Sequence, residues 1–239
     1  MSPESAHEPI FKFHSNEAYH PLAVESVEGV GEGIEVPGEG RKQGISLASL
    51  PSNGGRMVLP TDPRKQEAEL QAGDLARAGY RRTVEGGGLT WVQYWLWYLY
   101  NPKRFYLAGE HEGDWEFVQV GYGGDTPVCM SASQHKSGGA RWWWETERHD
   151  GRPTVYVAHG SHANYFEPRK MQTELDDEAD GRGLTLDTIA WRDFDSDWES
   201  WPGRWGNSTG PGESPQSPGS QGSRWKAPHL YHAAADHQA

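Results

Sequence analysis

The chain has 239 residues, a formal net charge of −12, 12 tryptophans, 30 glycines and 16 prolines. This length fits one large all-β or mixed domain, or two small ones, and the charge argues against nucleic acid and anionic membranes as partners, because both need a basic face. The single cysteine, Cys129, excludes an intramolecular disulfide framework and is expected to be a small buried residue.

The chain carries no visible targeting signal. Residues 1–10 lack the basic and apolar regions of a secretory signal and are predicted to form a flexible leader. No apolar run approaches the ~20 residues of a membrane span, so a cytoplasmic protein without a transmembrane segment is predicted. Residues 229–239 are expected to fray, which leaves residues 11–228 as one predicted domain.

One helix is predicted in the first third of the chain, after a Gly-rich loop at residues 29–44. Asp62 suits the N-cap position, Pro63 suits the first helical position, and the pattern continues to Gly79. This helix carries no recognisable chemistry and is expected to pack on a sheet.

From Thr90 onward the pattern predicts consecutive strands separated by short turns. The strands are predicted over residues 91–100, 115–122, 128–135, 140–145 and 154–159, with a hairpin turn at 136–139 and another turn at 149–152. The predicted fold class is therefore mainly β: a single antiparallel β-sandwich with one short helix and long ordered loops.

The segment Arg141-Trp142-Trp143-Trp144 offers rings that could stack on sugars or bases. Alternation along a strand places Trp142 and Trp144 on one buried face and Trp143 on the other, so most of this aromatic surface is predicted to be core.

Two later segments are predicted to be loops. Residues 174–181 form a solvated acidic loop, and residues 206–224 form an ordered loop clamped by the tryptophans around it.

The stretch Gly109 to Val120, GEHEGDWEFVQV, holds three potential metal ligands, His111, Asp114 and Glu116. Alternate side chains of a strand share a face, so Asp114 and Glu116 point the same way, roughly 6–7 Å apart at the backbone. His111 precedes the predicted strand, and a glycine between them gives the chain freedom to fold the imidazole over the carboxylates. Such a cluster suits a divalent cation or an acid/base pair, whereas the simpler interpretation is a hydrogen-bonded turn.

Three further histidines lie at predicted strand ends. His159 ends a strand and His162 follows three residues later, so both could join a metal site or transfer protons, and His135 ends the preceding hairpin strand. A structural role is the more common explanation for each of them. The sequence contains no Cys-x-x-Cys, Walker or Rossmann motif, and no Gly-x-Ser-x-Gly nucleophile elbow is predicted between a strand and a helix, which disfavours nucleophilic serine or cysteine catalysis.

Taken together, these segments resemble the family named after vacuolar protein sorting-associated protein 62. The matching pieces, in order, are FKFHSNEAYHPLAVESV, HEGDWEFV, SQHKSGGARWWWE, VYVAHGSHANYF and WGNSTGPGESPQSPGSQGSRWKAP. They span about residues 11–228, so the resemblance implies one β-sandwich domain over that range.

The central motif is also remotely similar to the Gly-His-Arg-His-Asp-Trp-Glu motif of the necrosis- and ethylene-inducing toxin-like proteins. In that β-sandwich family the first His, the Asp and the Glu bind a divalent cation. Aligned on Asp-Trp-Glu, these three fall on His111, Asp114 and Glu116, while the family's second His is Gly113 here and its leading Gly is Glu110. The resemblance implies a cation site formed by the three matching residues.

The resulting hypothesis is a site for Ca²⁺, Mg²⁺ or Mn²⁺ at one end of the sandwich, with His159, His162 or His135 as a further ligand or proton-transfer group. Such a site would serve a metal-assisted hydrolase, lyase-type or tailoring enzyme acting on a small molecule or a glycan. The alternatives are a non-catalytic, cation-dependent module that binds a glycan or lipid headgroup, a metal-free acid/base enzyme, and a purely structural cluster. The oligomeric state stays open.

Overall fold

A computed structural model describes the chain except for residues 1–5, 61–69, 103–108, 136, 171–176, 195, 209–213 and 238–239. The fold is mainly β, with strands arranged in two large sheets and one small one. Within the described part of the chain, no helix is long and apolar enough to cross a membrane.

The largest sheet has seven strands and runs through the middle of the molecule. Most of its neighbouring strands are antiparallel, as predicted, but its two edge strands pair in parallel. Its strands, in spatial order and identified here by chain order, are β14 (Ala190–Asp193), β5 (Ala78–Gly86), β6 (Leu89–Asn101), β7 (His111–Gly123), β8 (Thr126–Gln134), β9 (Ser137–Trp142) and β15 (Asp236–His237).

A second sheet and a small third sheet complete the β-structure. The five strands of the second sheet are β10 (Arg148–His149), β11 (Arg152–Val157), β1 (Ile10–Phe13), β13 (Thr185–Leu186) and β12 (Asn164–Tyr165), of which β1 and β11 are parallel neighbours. The third sheet consists of β3 (Gly40–Gln43), β2 (Gly33–Val36) and β4 (Arg56–Val58).

The remaining elements are short. The described residues include three α-helices, α1 (Ser26–Val30), α2 (Ser223–Lys226) and α3 (Pro228–Ala234), and four 3₁₀ segments, at Leu47–Ser49, Trp143–Glu145, Asp197–Ser200 and Pro218–Ser220. The fold therefore has more short helices than the single one predicted, and long connections between strands carry them.

Strand β7 is buried on both faces. Its side chains alternate between the two faces, and each face packs into a different hydrophobic cluster. One face packs Val118 and Val120 with Phe11 and Phe13 of the second sheet. The other face carries aromatic side chains that pack with the third sheet and with the tryptophans of the loop residues 194–205. The aromatic side chains of this second cluster include Trp95, Trp97, Trp115, Phe117, Trp198, Trp201 and Trp205.

Four sequence predictions differ from the structure in local detail. The predicted helix over 62–79 lies partly outside the described residues, but its end is wrong, because the chain turns after Leu70 and enters β5 at Ala78. The predicted hairpin turn at 136–139 comes too late, because β9 already begins at Ser137 and His135 occupies the turn with φ of +53°. The left-handed backbone of His135 permits the tighter connection.

The prediction that Trp142 and Trp144 are core residues is wrong, because β9 ends at Trp142 and strand alternation stops there. Their side chains are 44% and 68% exposed. In place of the predicted frayed tail, α3 and β15 cover the edge of the large sheet. Tyr231 of α3 is buried, and its hydroxyl donates to the carbonyl of Ser137 at 2.9 Å.

Candidate functional site

The candidate site lies where the first residues of β7 meet two connections of the second sheet. His111 is the first residue of β7 rather than part of a preceding loop, and it pairs with Asn101 on β6. Its Nδ1 atom lies 2.6 Å from the carbonyl oxygen of Gly113. Because a carbonyl only accepts, Nδ1 carries the proton, and Nε2 of the neutral ring keeps the lone pair that a metal ligand needs.

Gly113 cannot be replaced without strain. Its φ is +66°, and a Cβ atom there would lie 2.1 Å from the carbonyl oxygen of Trp205 and 2.4 Å from the ring of Trp97. Because Gly113 has no side chain, the loop that contains Trp205 can pack directly on β7. This contact fixes the backbone between His111 and Asp114.

Asp114 and Glu116 share one face of β7, as predicted, but that face is the interior of the sandwich and not a solvent-facing entry. Their exposed fractions are only 6% and 4%. Oδ2 of Asp114 accepts hydrogen bonds from Nδ2 of Asn101 and Nδ1 of His162, each at 3.0 Å. Glu116 accepts a hydrogen bond from the hydroxyl of Ser133 on the neighbouring strand β8.

His162 is clamped between two carboxylates. Its Nε2 lies 3.7 Å from Oε1 of Glu17, opposite its contact with Asp114, and its ring stacks on Tyr98 at 3.8 Å. Burial acts to lower the pKa of His162, but Glu17 and Asp114 together raise that pKa to about 10. His162 is therefore an imidazolium at neutral pH and has no lone pair with which to bind a metal or accept a proton.

Glu17 is a site residue that sequence reasoning missed. It lies in the connection after β1 and accepts hydrogen bonds from the backbone amides of Gly160, Ala18 and Tyr19. Burial opposes ionisation, yet His162 and these amides lower the pKa of Glu17 to about 2. No local signal marks the residue, since its partner lies 145 positions away in the sequence.

The two carboxyls on β7 have different electrostatic surroundings. Burial acts to raise the pKa of Asp114, but the hydrogen bonds from His162 and Asn101 hold that pKa below its ordinary value. Burial and the negative charge of Asp114 raise the pKa of Glu116 to about 8. Asp114 is therefore the stronger acid of the two and ionises at a lower pH than Glu116.

His135 belongs to a neighbouring cluster centred on Asp177. The carboxylate of Asp177 accepts hydrogen bonds from Nε2 of His135 at 2.7 Å, the hydroxyl of Ser161 at 2.6 Å and the hydroxyl of Tyr165 at 2.7 Å. Asp177 is only 3% exposed, so the prediction of a solvated acidic loop at 174–181 is wrong at this residue. Ser161 bonds to the carboxylate and not to the imidazole, so these residues do not form a nucleophilic triad.

His159 lies apart from Asp114. Its side chain is exposed and stacks on the ring of His14, with centroids 4.9 Å apart. His14 in turn lies 3.6 Å from the carboxylates of Glu178 and Asp180. The turn after β11 therefore sends its two histidines in different directions, His162 into the interior and His159 to the surface.

The donor set at β7, two carboxyl groups and one imidazole, fits a hard divalent cation in chemistry. Within the residues that the structure describes, no three His, Cys, Asp or Glu side chains already stand close enough together to hold a metal ion. A cation would have to draw Glu116 away from Ser133 and bring Nε2 of His111 inward.

No family model matches this chain, and no curated protein matches it. Among solved structures, the chain is similar to necrosis and ethylene inducing protein 2 from the causal agent of cocoa's witches' broom disease, at 15% identity over 81% of this chain and 73% of that chain, with a TM-score of 0.44. A mutant of the protein NLPPya is 16% identical over 97% of this chain and 87% of its own, with a TM-score of 0.49. NLPPya in complex with glucosamine is 14% identical over 80% and 71%, with a TM-score of 0.44. These similarities identify neither an activity nor a ligand of this chain.

Proposed function

We propose that this chain is a cation-dependent binding module, with a divalent ion held by His111, Asp114 and Glu116 at one end of the sandwich. The observation that carries the proposal is the placement of two carboxyls side by side in the interior, at 6% and 4% exposure. A buried carboxylate is costly unless an opposite charge is close, and His162 contacts only Asp114 of the two. Burial and Asp114 raise the pKa of Glu116, and a divalent cation between the two carboxyls would offset that rise and make both of them carboxylate ligands.

The proposed ligand set has two carboxylate oxygens and one imidazole nitrogen, which favours Ca²⁺, Mg²⁺ or Mn²⁺. His162 orients Asp114 from the opposite side and is not a ligand. A hard cation with three protein ligands keeps positions for water or for oxygen atoms of a bound molecule. Hydroxyl, carboxylate or phosphate oxygens of a glycan or lipid headgroup suit those positions.

Binding is favoured over catalysis because the candidate proton carriers are engaged elsewhere. His162 is an imidazolium between Asp114 and Glu17, His135 is paired with Asp177, and His159 lies at the surface. Burial raises the pKa of the Cys129 thiol to about 11, which removes it as a nucleophile. The order of the five matching segments supports membership in the family named after vacuolar protein sorting-associated protein 62, and that membership is part of the proposal.

Melting curves test the proposal. Protein stripped with EDTA and dialysed should melt at a higher temperature when Ca²⁺, Mg²⁺ or Mn²⁺ is added, because a ligand that binds only the folded state stabilises it. Asp114→Asn and Glu116→Gln should each abolish this shift. The control is Asp177→Asn, which removes a buried carboxylate from the neighbouring cluster and should keep the shift. A metal-free acid/base site or a structural cluster would give no cation-dependent shift in any variant.

A further inference from the structure

Among the residues that the structure describes, Trp142 and Trp144 are the tryptophans with exposed side chains. They are 44% and 68% exposed, whereas Trp91, Trp95 and Trp97 of β6 are at most 1% exposed. Their rings are stacked on one another, with centroids 5.1 Å apart and an angle of 6° between the planes. Each ring covers one face of the other and leaves its outer face open, and an exposed apolar surface of this kind can mark a binding site.

The backbone holds this aromatic pair in place. The amide of Trp142 donates to the carboxylate of Glu145 at 3.1 Å, and the hydroxyl of Thr146 donates to the carbonyl of Trp142 at 3.2 Å. Between the two exposed rings, Trp143 turns inward, packs against the core and meets the ring of His7 at 5.3 Å. The pair is thus preorganised, so a ligand that stacks on it loses little free energy in ordering it.

The charges around the pair select the class of ligand. Glu145, Glu147 and Arg148 are exposed in the segment that carries the rings, Arg141 is buried and paired with Glu167, and the whole chain carries a net charge of −12. This segment lacks the cluster of basic side chains that nucleic acids and anionic membranes require. A sugar ring offers C–H groups that pack on the negative face of an indole, and its hydroxyls can donate to a neighbouring carboxylate such as that of Glu145.

We infer that Trp142 and Trp144 form a stacking platform for a neutral oligosaccharide, with Glu145 as a hydroxyl acceptor at its edge. The outer face of Trp144, the more exposed ring, receives the sugar and extends the existing stack. Through the sheet register, Trp142 aligns with Cys129 and then with Gly121, seven positions along β7 from Asp114. This spacing is roughly 23 Å, so the platform lies at the opposite end of the sheet and acts without the proposed cation.

Isothermal titration calorimetry with cellohexaose and with uncharged chitohexaose, in buffer containing EDTA, tests the platform. Wild type should bind at least one of the two, and Trp144→Ala should weaken binding about tenfold, the loss of one aromatic stacking contact. Trp144→Tyr should keep most of the affinity because the ring face is retained. Leu230→Ala, at a residue 57% exposed, removes another apolar surface side chain and should leave binding unchanged.

Three results would overturn the inference. The first is no binding of either sugar by folded wild type, and the second is equal binding by Trp144→Ala. The third is that the platform serves a different contact. In that case wild type would bind no sugar but would associate with phosphatidylcholine vesicles or dimerise in light scattering, and Trp144→Ala would lose that association. Because EDTA is present throughout, failure here leaves the cation proposal untouched, and failure of the cation proposal leaves this result intact.

Discussion

At the residue scale, His162 sets the electrostatics of the candidate site. A fully buried imidazolium is stable only because Asp114 and Glu17 flank it and Tyr98 covers its face. The same arrangement fixes the direction in which Asp114 points. His162 therefore acts as a positioning residue for the proposed ligand set.

Removal of that charge should be costly. His162→Asn, chosen because asparagine tolerates the φ of +53° at this position, should lower the free energy of unfolding by about 3–5 kcal/mol, because two buried carboxylates lose their cation. Urea denaturation measures the loss. His149→Asn, at an exposed histidine, is the control and should barely change the midpoint. A loss below about 1 kcal/mol for His162→Asn would show that the clamp does not carry stability.

The pair of His135 and Asp177 should give stability a pH dependence. Burial acts against both charges, but their mutual hydrogen bond lowers the pKa of Asp177 to about 2 and raises that of His135 above its ordinary value. The lowered pKa stabilises the fold above about pH 4, and this contribution is lost as the pH falls towards 2. The raised pKa stabilises the fold below about pH 6.5, and this contribution is lost at higher pH as His135 deprotonates.

The stabilisation by this pair should therefore be largest near pH 5. The melting temperature of His135→Asn should fall furthest below that of wild type at about pH 5, and the gap should narrow towards pH 9. Scanning calorimetry across this range measures the gap. A gap that stays constant from pH 5 to pH 9 would mean that His135 contributes by packing and not by charge.

At the scale of elements, β7 links the site to the core. Its even-numbered residues carry Asp114 and Glu116 towards the second sheet, and its odd-numbered residues carry Trp115 and Phe117 into the tryptophan cluster. At Gly113 the loop that contains Trp205 packs directly on β7. The carbonyl of Trp205 lies where a side chain of residue 113 would otherwise be.

A comparison of two glycines distinguishes the cost of backbone strain from the cost of a steric clash. Gly113 and Gly124 have φ of +66° and +64°, but a Cβ at Gly124 would meet nothing within 4 Å. Gly124→Ala should cost about 1 kcal/mol, whereas Gly113→Ala should cost a further 1–3 kcal/mol or so from overpacking. Chemical denaturation of both variants measures the difference. Equal losses would contradict the proposed tight contact between β7 and Trp205.

Sequence patterns predicted the elements in the middle of the chain because the signals there are local. The aromatic run of β6 and the alternation of side chains in β7 each lie within one strand, and the structure agrees with both. Local sequence patterns could not predict the partners of the site histidines. Glu17 contacts His162 and Asp177 contacts His135, and both pairs are far apart in the sequence. Alternation also failed at Trp144, where a 3₁₀ turn replaces the strand and sends the ring outward.

At the scale of the whole molecule, the sandwich separates two proposed binding surfaces. The carboxyls of Asp114 and Glu116 lie near one end of the sheet, and the platform of Trp142 and Trp144 lies near the other. The net charge of −12 agrees with ligands that are cations or neutral sugars.

The most direct test of the central claim is the metal content of the protein after equilibrium dialysis against Ca²⁺, Mg²⁺ or Mn²⁺. Inductively coupled plasma mass spectrometry measures this content. The account predicts one divalent ion per chain for wild type and for Asp177→Asn, and loss of that ion in Asp114→Asn and in Glu116→Gln. The absence of bound metal from wild type, or equal metal in all four proteins, would contradict a cation site at His111, Asp114 and Glu116.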